Sequence, residues 1–328
     1  MSADRHDAPA RESALTALRV AVAKISATPL DEPAQILVDA LMRKFPGAAV
    51  LFYGSGASVS RLENPTDIIF DFYVIGPSYE ALYASRTLRT ANRLIPPNVF
   101  YFETPSPFGT LRAKYAVLSL DHFEKLVGAA TFHSYFWARF AQPCRIHAPD
   151  NAMKARLEDA LARAIATFCG ASAGLTDGAF RPLDLWLAGL GASYRAELRA
   201  EDSERAAKLI ESYGTWAETV TAPALTLAGY EPRTNDSVIM LNKKPRDARL
   251  AWRLRAAAGA GLSVLRLLKG TQTFNGGIDY IAWKIKRHSG VDIEVTDWER
   301  RHPMLGAPGA ALRYYRLRAQ QKRNPGAR

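Results

Sequence analysis

The chain of 328 residues carries 43 Lys and Arg against 32 Asp and Glu, a net charge of +11, with 48% hydrophobic residues and a mean hydropathy of −0.14. It is long enough to bury a core and to divide into two domains, and no run of about 18 uncharged apolar residues marks a transmembrane helix. Two cysteines, Cys144 and Cys169, and six scattered histidines give neither a disulfide framework nor a zinc-ligand spacing.

The first 15 residues are polar and lack the apolar stretch of a secretory signal; residues 1–12 are expected to be disordered. Ser13 to Ile25 places Leu15, Leu18, Val22 and Ile25 on one side of a helix. Asp31-Glu32-Pro33 opens a second helix, with Asp31 as N-cap, and Pro46-Gly47 closes it. An apolar strand, Ala48 to Tyr53, then stops at Gly54-Ser55-Gly56. About a dozen mostly polar residues lead to a second β-rich run, which opens on Asp67 and carries Asp71.

Tyr79 to Arg93 reads as a helix, Val99 to Glu103 as a short strand and Arg112 to Leu120 as another. The order helix, strand, strand, helix, strand, strand predicts a mixed sheet. Asp121 to Phe140 reads as helical, Asn151 to Phe168 as a helix capped by Asn151, and Pro182 to Ala200 and Ser203 to Thr219 as further helices. From Asn242 the composition changes. Residues 242–328 hold 19 Lys and Arg against 6 Asp and Glu, so the whole positive surplus lies there. Such a segment seeks an anionic surface, nucleic acid or acidic lipid. Within it, Leu250 to Lys269 is weakened as one continuous helix by Gly259 and Gly261. Ile281 to Arg287 sets aromatic and apolar residues beside Lys and Arg, which suits a membrane interface or a helical cap on the body.

The chemistry is concentrated between Leu51 and Ile75. A strand, a Gly-Ser turn and a second strand bearing carboxylates is the way nucleotidyltransferases build a site. Glycines let backbone N–H groups approach a triphosphate, Ser55 adds a hydroxyl, and carboxylates hold Mg²⁺ shared with substrate phosphates. On a strand, Asp67, Ile69 and Asp71 share one face. The usual Asp-x-Asp spacing would put the second acid at Ile69; Asp71 lies on the same face about 7 Å further on. Glu103 is the candidate third carboxylate, or a strand-end surface acid. Lys114 suits a phosphate contact, or is a solvated edge charge.

Three stretches carry a family resemblance. FYGSGAS (Phe52 to Ser58), DIIFDF (Asp67 to Phe72) and AKYAVLSL (Ala113 to Leu120), followed by ARFAQPCRI (Ala138 to Ile146), resemble the mitochondrial-type phosphatidate cytidylyltransferases, peripheral-membrane CDP-diacylglycerol synthases. The resemblance implies an α+β architecture: a nucleotidyltransferase-fold mixed sheet with helices, then a helical or winged-helix-like domain and a basic C-terminal element. The corresponding divisions are a flexible N-terminus with the first helix at 1–30, a nucleotidyltransferase domain at 31–148, a helical domain at 149–241 and a membrane-associating region at 242–328. It implies the Mg²⁺-dependent reaction of CTP with phosphatidate to give CDP-diacylglycerol and pyrophosphate. Anionic membrane, rather than nucleic acid, is then the partner of the basic region, and the protein would lie on the inner face of a bacterial cell membrane.

Carried onto this chain, the resemblance matches Gly54, Ser55, Gly56, Asp67, Lys114, Tyr115, Arg139 and Pro143; joined with the strand reading, which supplies Asp71, Glu103 and Ser58, it makes the catalytic residues Asp67, Asp71 and Lys114. The nucleotide contacts are Gly54, Ser55, Gly56, Ser58, Tyr115 and Arg139, and the metal ligands Asp67, Asp71 and Glu103. Gln142 replaces the family's Lys before Pro143, and Tyr73-Val74 stand near where its strand often ends in two acids. Two rival readings share these residues: a nucleotidyltransferase acting on RNA or another soluble acceptor, and a nucleotide-binding protein whose metal site has lapsed, for which Ile69 argues.

Overall fold

A computed structural model of the protein describes residues 4–53, 64–196, 210–243, 245–273 and 294–301, together with Arg313 and Arg316. In chain order the elements are α1 (Asp4–Ser26), α2 (Glu32–Lys44), β1 (Ala49–Tyr53), β2 (Ile69–Gly76), α3 (Tyr79–Leu82), α4 (Arg86–Leu94), β3 (Asn98–Ser106), β4 (Gly109–Ser119), α5 (Leu120–Val127), α6 (Trp137–Phe140) and β5 (Cys144–His147). They continue with α7 (Asn151–Ala173), β6 (Ala179–Phe180), α8 (Pro182–Ala196), α9 (Trp216–Leu227), β7 (Pro232–Asn235), β8 (Val238–Leu241), α10 (Arg249–Thr273) and α11 (Asp297–Arg301).

The main sheet has the order β3-β4-β2-β1-β5. β2 and β4 are parallel and the other pairs antiparallel, so the sheet is mixed, as the element order predicts. Its central strands are buried on both faces, which is why they read as apolar runs and not as clean alternations. Under α2, which buries Ala34, Leu37, Val38 and Leu41, lie Phe52, Phe70, Phe72 and Tyr115. On the other face Tyr73 meets Phe140 with ring centroids 4.9 Å apart, and Phe140 meets Phe123 at 4.7 Å.

Several expected boundaries move, each for a local reason. α1 begins at Asp4, so the residues expected to be disordered from there to 12 are helical. Tyr79 to Arg93 is two helices because two serines cap separately: Ser78 Oγ accepts from Ala81 N and Ser85 Oγ from Leu88 N. The stretch from Asp121 to Phe140 breaks at Gly128 into α5 and α6. The cap of α7 is Asp150, not Asn151; its carboxylate accepts from Met153 N at 2.8 Å. α10 runs unbroken through both glycines. Gly259 is required there, since a Cβ would overlap the carbonyl oxygen of Ala196 where α10 crosses α8.

The stretch 149–241 is not purely helical. It runs α7, β6, α8, α9, β7, β8, with a three-stranded antiparallel sheet in the order β6-β8-β7. The buried residues form one continuous cluster from Leu18 in α1 to Trp252 in α10, so this stretch and the main sheet share a core. Among the described residues no helix is long and apolar enough to cross a membrane. Ser203 to Thr219 is described only from Ile210, and Ile281 to Arg287 and most of Arg313 to Arg328 lie outside the described residues.

Candidate functional site

Register decides which side chains meet. β2 and β4 set Asp71 opposite Lys114, and β4 and β3 set Lys114 opposite Tyr101. One row over, Ile69, Arg112 and Glu103 are aligned in the same way. Paired residues project to one face, so these six stand together near one end of the sheet. Lys114 Nζ is 3.3 Å from Asp71 Oδ1, with both side chains partly open to solvent. Arg112 Nε donates to Glu103 Oε1 at 3.1 Å and Arg112 Nη1 to the carbonyl of Thr66, also at 3.1 Å. The Tyr101 hydroxyl donates to Glu103 Oε1 at 2.6 Å, and burial together with that carboxylate raises the phenol pKa above its ordinary value.

β1 supplies the neighbouring edge. Phe52 pairs with Phe72, so one step on in the register Tyr53 stands across from Asp71, and Gly54 follows at once. Tyr53 packs on Tyr73 with centroids 5.3 Å apart. Arg139, buried in α6, donates to the Tyr73 hydroxyl at 3.0 Å and holds its guanidinium 4.1 Å from the centre of the Tyr135 ring and 5.7 Å from that of Tyr53. Burial raises the Tyr73 phenol well above its usual range, and Arg139 opposes that shift. A second cation arrives from α10: Arg266 lies 3.8 Å from the centre of the Tyr135 ring and donates through Nε to the carbonyl of Pro96. Lys269, one turn on, donates to the carbonyls of Ile95 and Pro97; burial, with Arg266 beside it, lowers its pKa to about 8.

Of the residues singled out in the sequence, Asp71, Lys114 and Glu103 therefore share a face, with Arg139 further along it. Asp67 does not sit on the strand. Asn64 caps a 3-10 turn, Pro65–Asp67, by accepting from Thr66 N, and β2 begins only at Ile69. Asp67 is exposed on the approach to the strand, so its expected alternation with Ile69 and Asp71 is corrected. Tyr115 faces the other way. It is buried beneath α2, 5.5 Å from the Phe45 ring and 5.4 Å from the Phe100 ring, with its hydroxyl pushed up to about 12 by burial. Lys114 and Tyr115 thus serve opposite faces, as strand alternation demands. Gly54, Ser55, Gly56 and Ser58 lie outside the described residues.

Among the described residues no three His, Cys, Asp or Glu side chains converge as a metal site. Glu103 stands two strands across and one row along from Asp71, about 12 Å in backbone separation, and is engaged by Arg112 and Tyr101. Asp71 is likewise engaged, by Lys114, and Asp67 stands on the turn ahead of β2, so these two are the carboxylates at the start of that strand. Two carboxylates suit Mg²⁺, which commonly takes one or two from the protein and the rest of its ligands from water and phosphate. Tyr101 and Glu103 meet along one strand, by alternation alone, whereas the pairing of Arg112 with Glu103 needs the β3–β4 register. Arg266 had no sequence signal, since nothing local links residue 266 to Tyr135.

No family model matches the chain, and no curated protein is significantly similar to it.

Proposed function

We propose that the protein is a phosphatidate cytidylyltransferase, joining CTP to phosphatidate to form CDP-diacylglycerol and pyrophosphate. The observation that carries this reading is the placement of the Asp71–Lys114 pair across from the end of β1, where Gly54-Ser55-Gly56 begins. The resemblance of those stretches to the cytidylyltransferases supplies the substrate.

The chemistry asks little covalent work of the protein. A phosphate oxygen of phosphatidate forms a bond to the α-phosphorus of CTP, the bond from that phosphorus to the bridging oxygen breaks, and pyrophosphate leaves with the electron pair. The nucleophile is already an anion, so the site's task is to bring two anions together in line and to balance their charge. Lys114 suits one phosphate. Arg139, held by Tyr73 and Tyr135, presents a fixed cation beside β1. Asp67 and Asp71 would hold Mg²⁺, which when bound neutralises phosphate charge and orients the triphosphate.

The acceptor is a lipid rather than RNA on one further observation. We read the order α7, β6, α8, α9, β7, β8 as winged-helix-like, a form often used to bind nucleic acid through its third helix. Among the described residues the third helix is α9, with the sequence WAETVTAPALTL and no Lys or Arg, and it packs against α1, α7 and α8. It offers nothing to a phosphate backbone. The basic surplus lies in residues 242–328, which suits contact with an anionic bilayer from the aqueous side.

The test is purified full-length protein with radiolabelled CTP, phosphatidate in detergent micelles and Mg²⁺, scored by label entering the organic phase. Label that stays aqueous with phosphatidate but appears in RNA would turn the reading to the soluble-acceptor class. Absence of CTP binding with Mg²⁺ would favour the lapsed site, for which Ile69 in the row beside Asp71 is the structural argument.

A further inference from the structure

We infer that α4 carries a second contact for an anionic bilayer, separate from the basic C-terminal region and built into the sheet half of the protein. This inference rests on the peripheral-membrane reading above. The sequence of α4 is RTLRTANRL. At about 100° per residue, Arg86, Arg89 and Arg93 fall within about 60° of arc, and Leu94 lies about 100° around from Arg93 on the same open side. The side that carries Asn92, next to Arg89 and roughly opposite Leu94, anchors the helix. Asn92 is fully buried; its Nδ2 donates to the carbonyl of Val117 at 2.7 Å, and its Oδ1 accepts from Asn98 N at 2.7 Å. Arg86 and Arg93 therefore point outward from a rigid mount, while Arg89, between them and Asn92, keeps 20% of its side chain exposed.

The charge on that face is only partly balanced. Glu80 of α3 pairs with Arg93 at 2.7 Å and stands 3.8 Å from Arg89. The side chain of Arg86 makes no hydrogen bond or ion pair among the described residues. Three arginines against Glu80 leave a net positive charge on this face, a surface for anions.

Two further observations choose a bilayer as the occupant. Leu94, at the end of the helix, is 74% exposed, more than any other large hydrophobic residue described. An apolar side chain beside arginines suits a headgroup–acyl boundary, where the cations meet lipid phosphates and the leucine enters below them. The second is position. Residues 95–97, directly after Leu94, are gripped by Arg266 and Lys269 near the end of α10. The chain beyond α10, residues 274–328, carries 11 Lys and Arg against 5 Asp and Glu. α10 thus meets the chain directly after α4, which sets Arg266 and Lys269 beside that end of the arginine helix.

The experiment uses the full-length chain and phosphatidylcholine vesicles with and without phosphatidylglycerol, at about 0.1 M salt, where charges are screened beyond ~10 Å. The triple variant Arg86→Gln, Arg89→Gln, Arg93→Gln should partition ~30- to 150-fold more weakly onto anionic vesicles, at roughly 1 kcal/mol for each cation with Glu80 already offsetting part of the patch. Its circular dichroism and its cytidylyl transfer to phosphatidate in detergent should match wild type. Separately, Leu94→Cys labelled with an environment-sensitive dye should shift to the blue on anionic vesicles only. Cys144 and Cys169 are buried, so the label goes to position 94. Wild-type partitioning by the triple variant, or a dye blind to lipid, overturns the inference while leaving the proposed activity standing. A wild-type chain that ignores anionic vesicles overturns the peripheral-membrane reading and this inference with it, whether or not it transfers cytidylyl in detergent. Arginine-dependent binding of RNA without vesicle binding also overturns it and assigns the patch to nucleic acid.

Discussion

Asp71 and Lys114 allow catalysis to be separated from stability. The two face each other across the parallel β2–β4 pair at 3.3 Å, with side chains 41% and 32% exposed. Ion pairs that open to solvent contribute about 0.2–1 kcal/mol to folding. Neutralising either partner should therefore lower the melting temperature by no more than about 4 °C. If the pair lies at the reacting phosphates, Asp71→Asn and Lys114→Met should each cost ~10²- to 10³-fold in turnover, about 3–4 kcal/mol of transition-state stabilisation. That is several times the stability change, so partial unfolding would not account for it. The double variant adds a further test: two groups serving one step should lose far less together than the product of the single losses. The assay is label transfer from CTP to phosphatidate in detergent, with thermal melts of the same samples. Near-wild-type activity in both single variants, or recovery of activity in the double variant, would mean that the pair only holds two strands in register.

Three other outcomes follow from the geometry. Asp67→Asn should retain the fold and lose ~10³-fold in turnover if its carboxylate takes the metal; unchanged activity and an unchanged Mg²⁺ requirement would remove Asp67 from the site. Gly259→Ala should destabilise by about 1–3 kcal/mol in urea melts because its Cβ meets the Ala196 backbone, whereas Gly261→Ala, with open space around it, should stabilise by up to about 1 kcal/mol; equal effects would refute the close crossing of α10 and α8. His133 is held to about 4, below its usual 6.5, by burial and then by Arg266, with His122 a minor contributor. The unfolded chain thus binds a proton between those values that the native state refuses, and stability falls as pH drops from 6.5 toward 4. From pH 6.5 to 5 the His133 contribution is about 1–2 kcal/mol after allowance for partial exposure, and His133→Asn should lose that part of the acid sensitivity in melts across the range.

Where sequence reasoning succeeded, the interactions were local. Asp31 and Pro33 start α2 because an N-cap and a fixed φ act within one turn. The mixed sheet was legible because apolar runs broken by Gly-Pro turns leave few other pairings. Where it went astray, something distant or competitive decided. Gly259 looked like a helix breaker by propensity, yet the close approach of α8 makes glycine the residue that fits. Asp67 looked like the first residue of a strand because Ile68 and Ile69 follow it. Asn64 and Pro65 instead commit the backbone to a turn that ends on it.

The candidate site divides along the same line. Strand alternation alone separates Lys114 from Tyr115, so a pair of neighbours in a motif need not share a task. Conversely, Asp71, Lys114 and Tyr101 come from three stretches and meet only through register. The Arg139–Tyr135–Arg266 stack is the extreme case, since a helix more than a hundred residues downstream brings its cation over a ring that already holds another. That stack also changes what a truncation means. Removing the chain after residue 240 removes α10 as well as the basic tail, and with it Arg266 from Tyr135 and Lys269 from the turn ahead of β3. Loss of lipid turnover in such a truncation would not by itself locate the membrane contact. Charge substitutions at Arg86, Arg89 and Arg93, which leave α10 in place, address that question without disturbing the site.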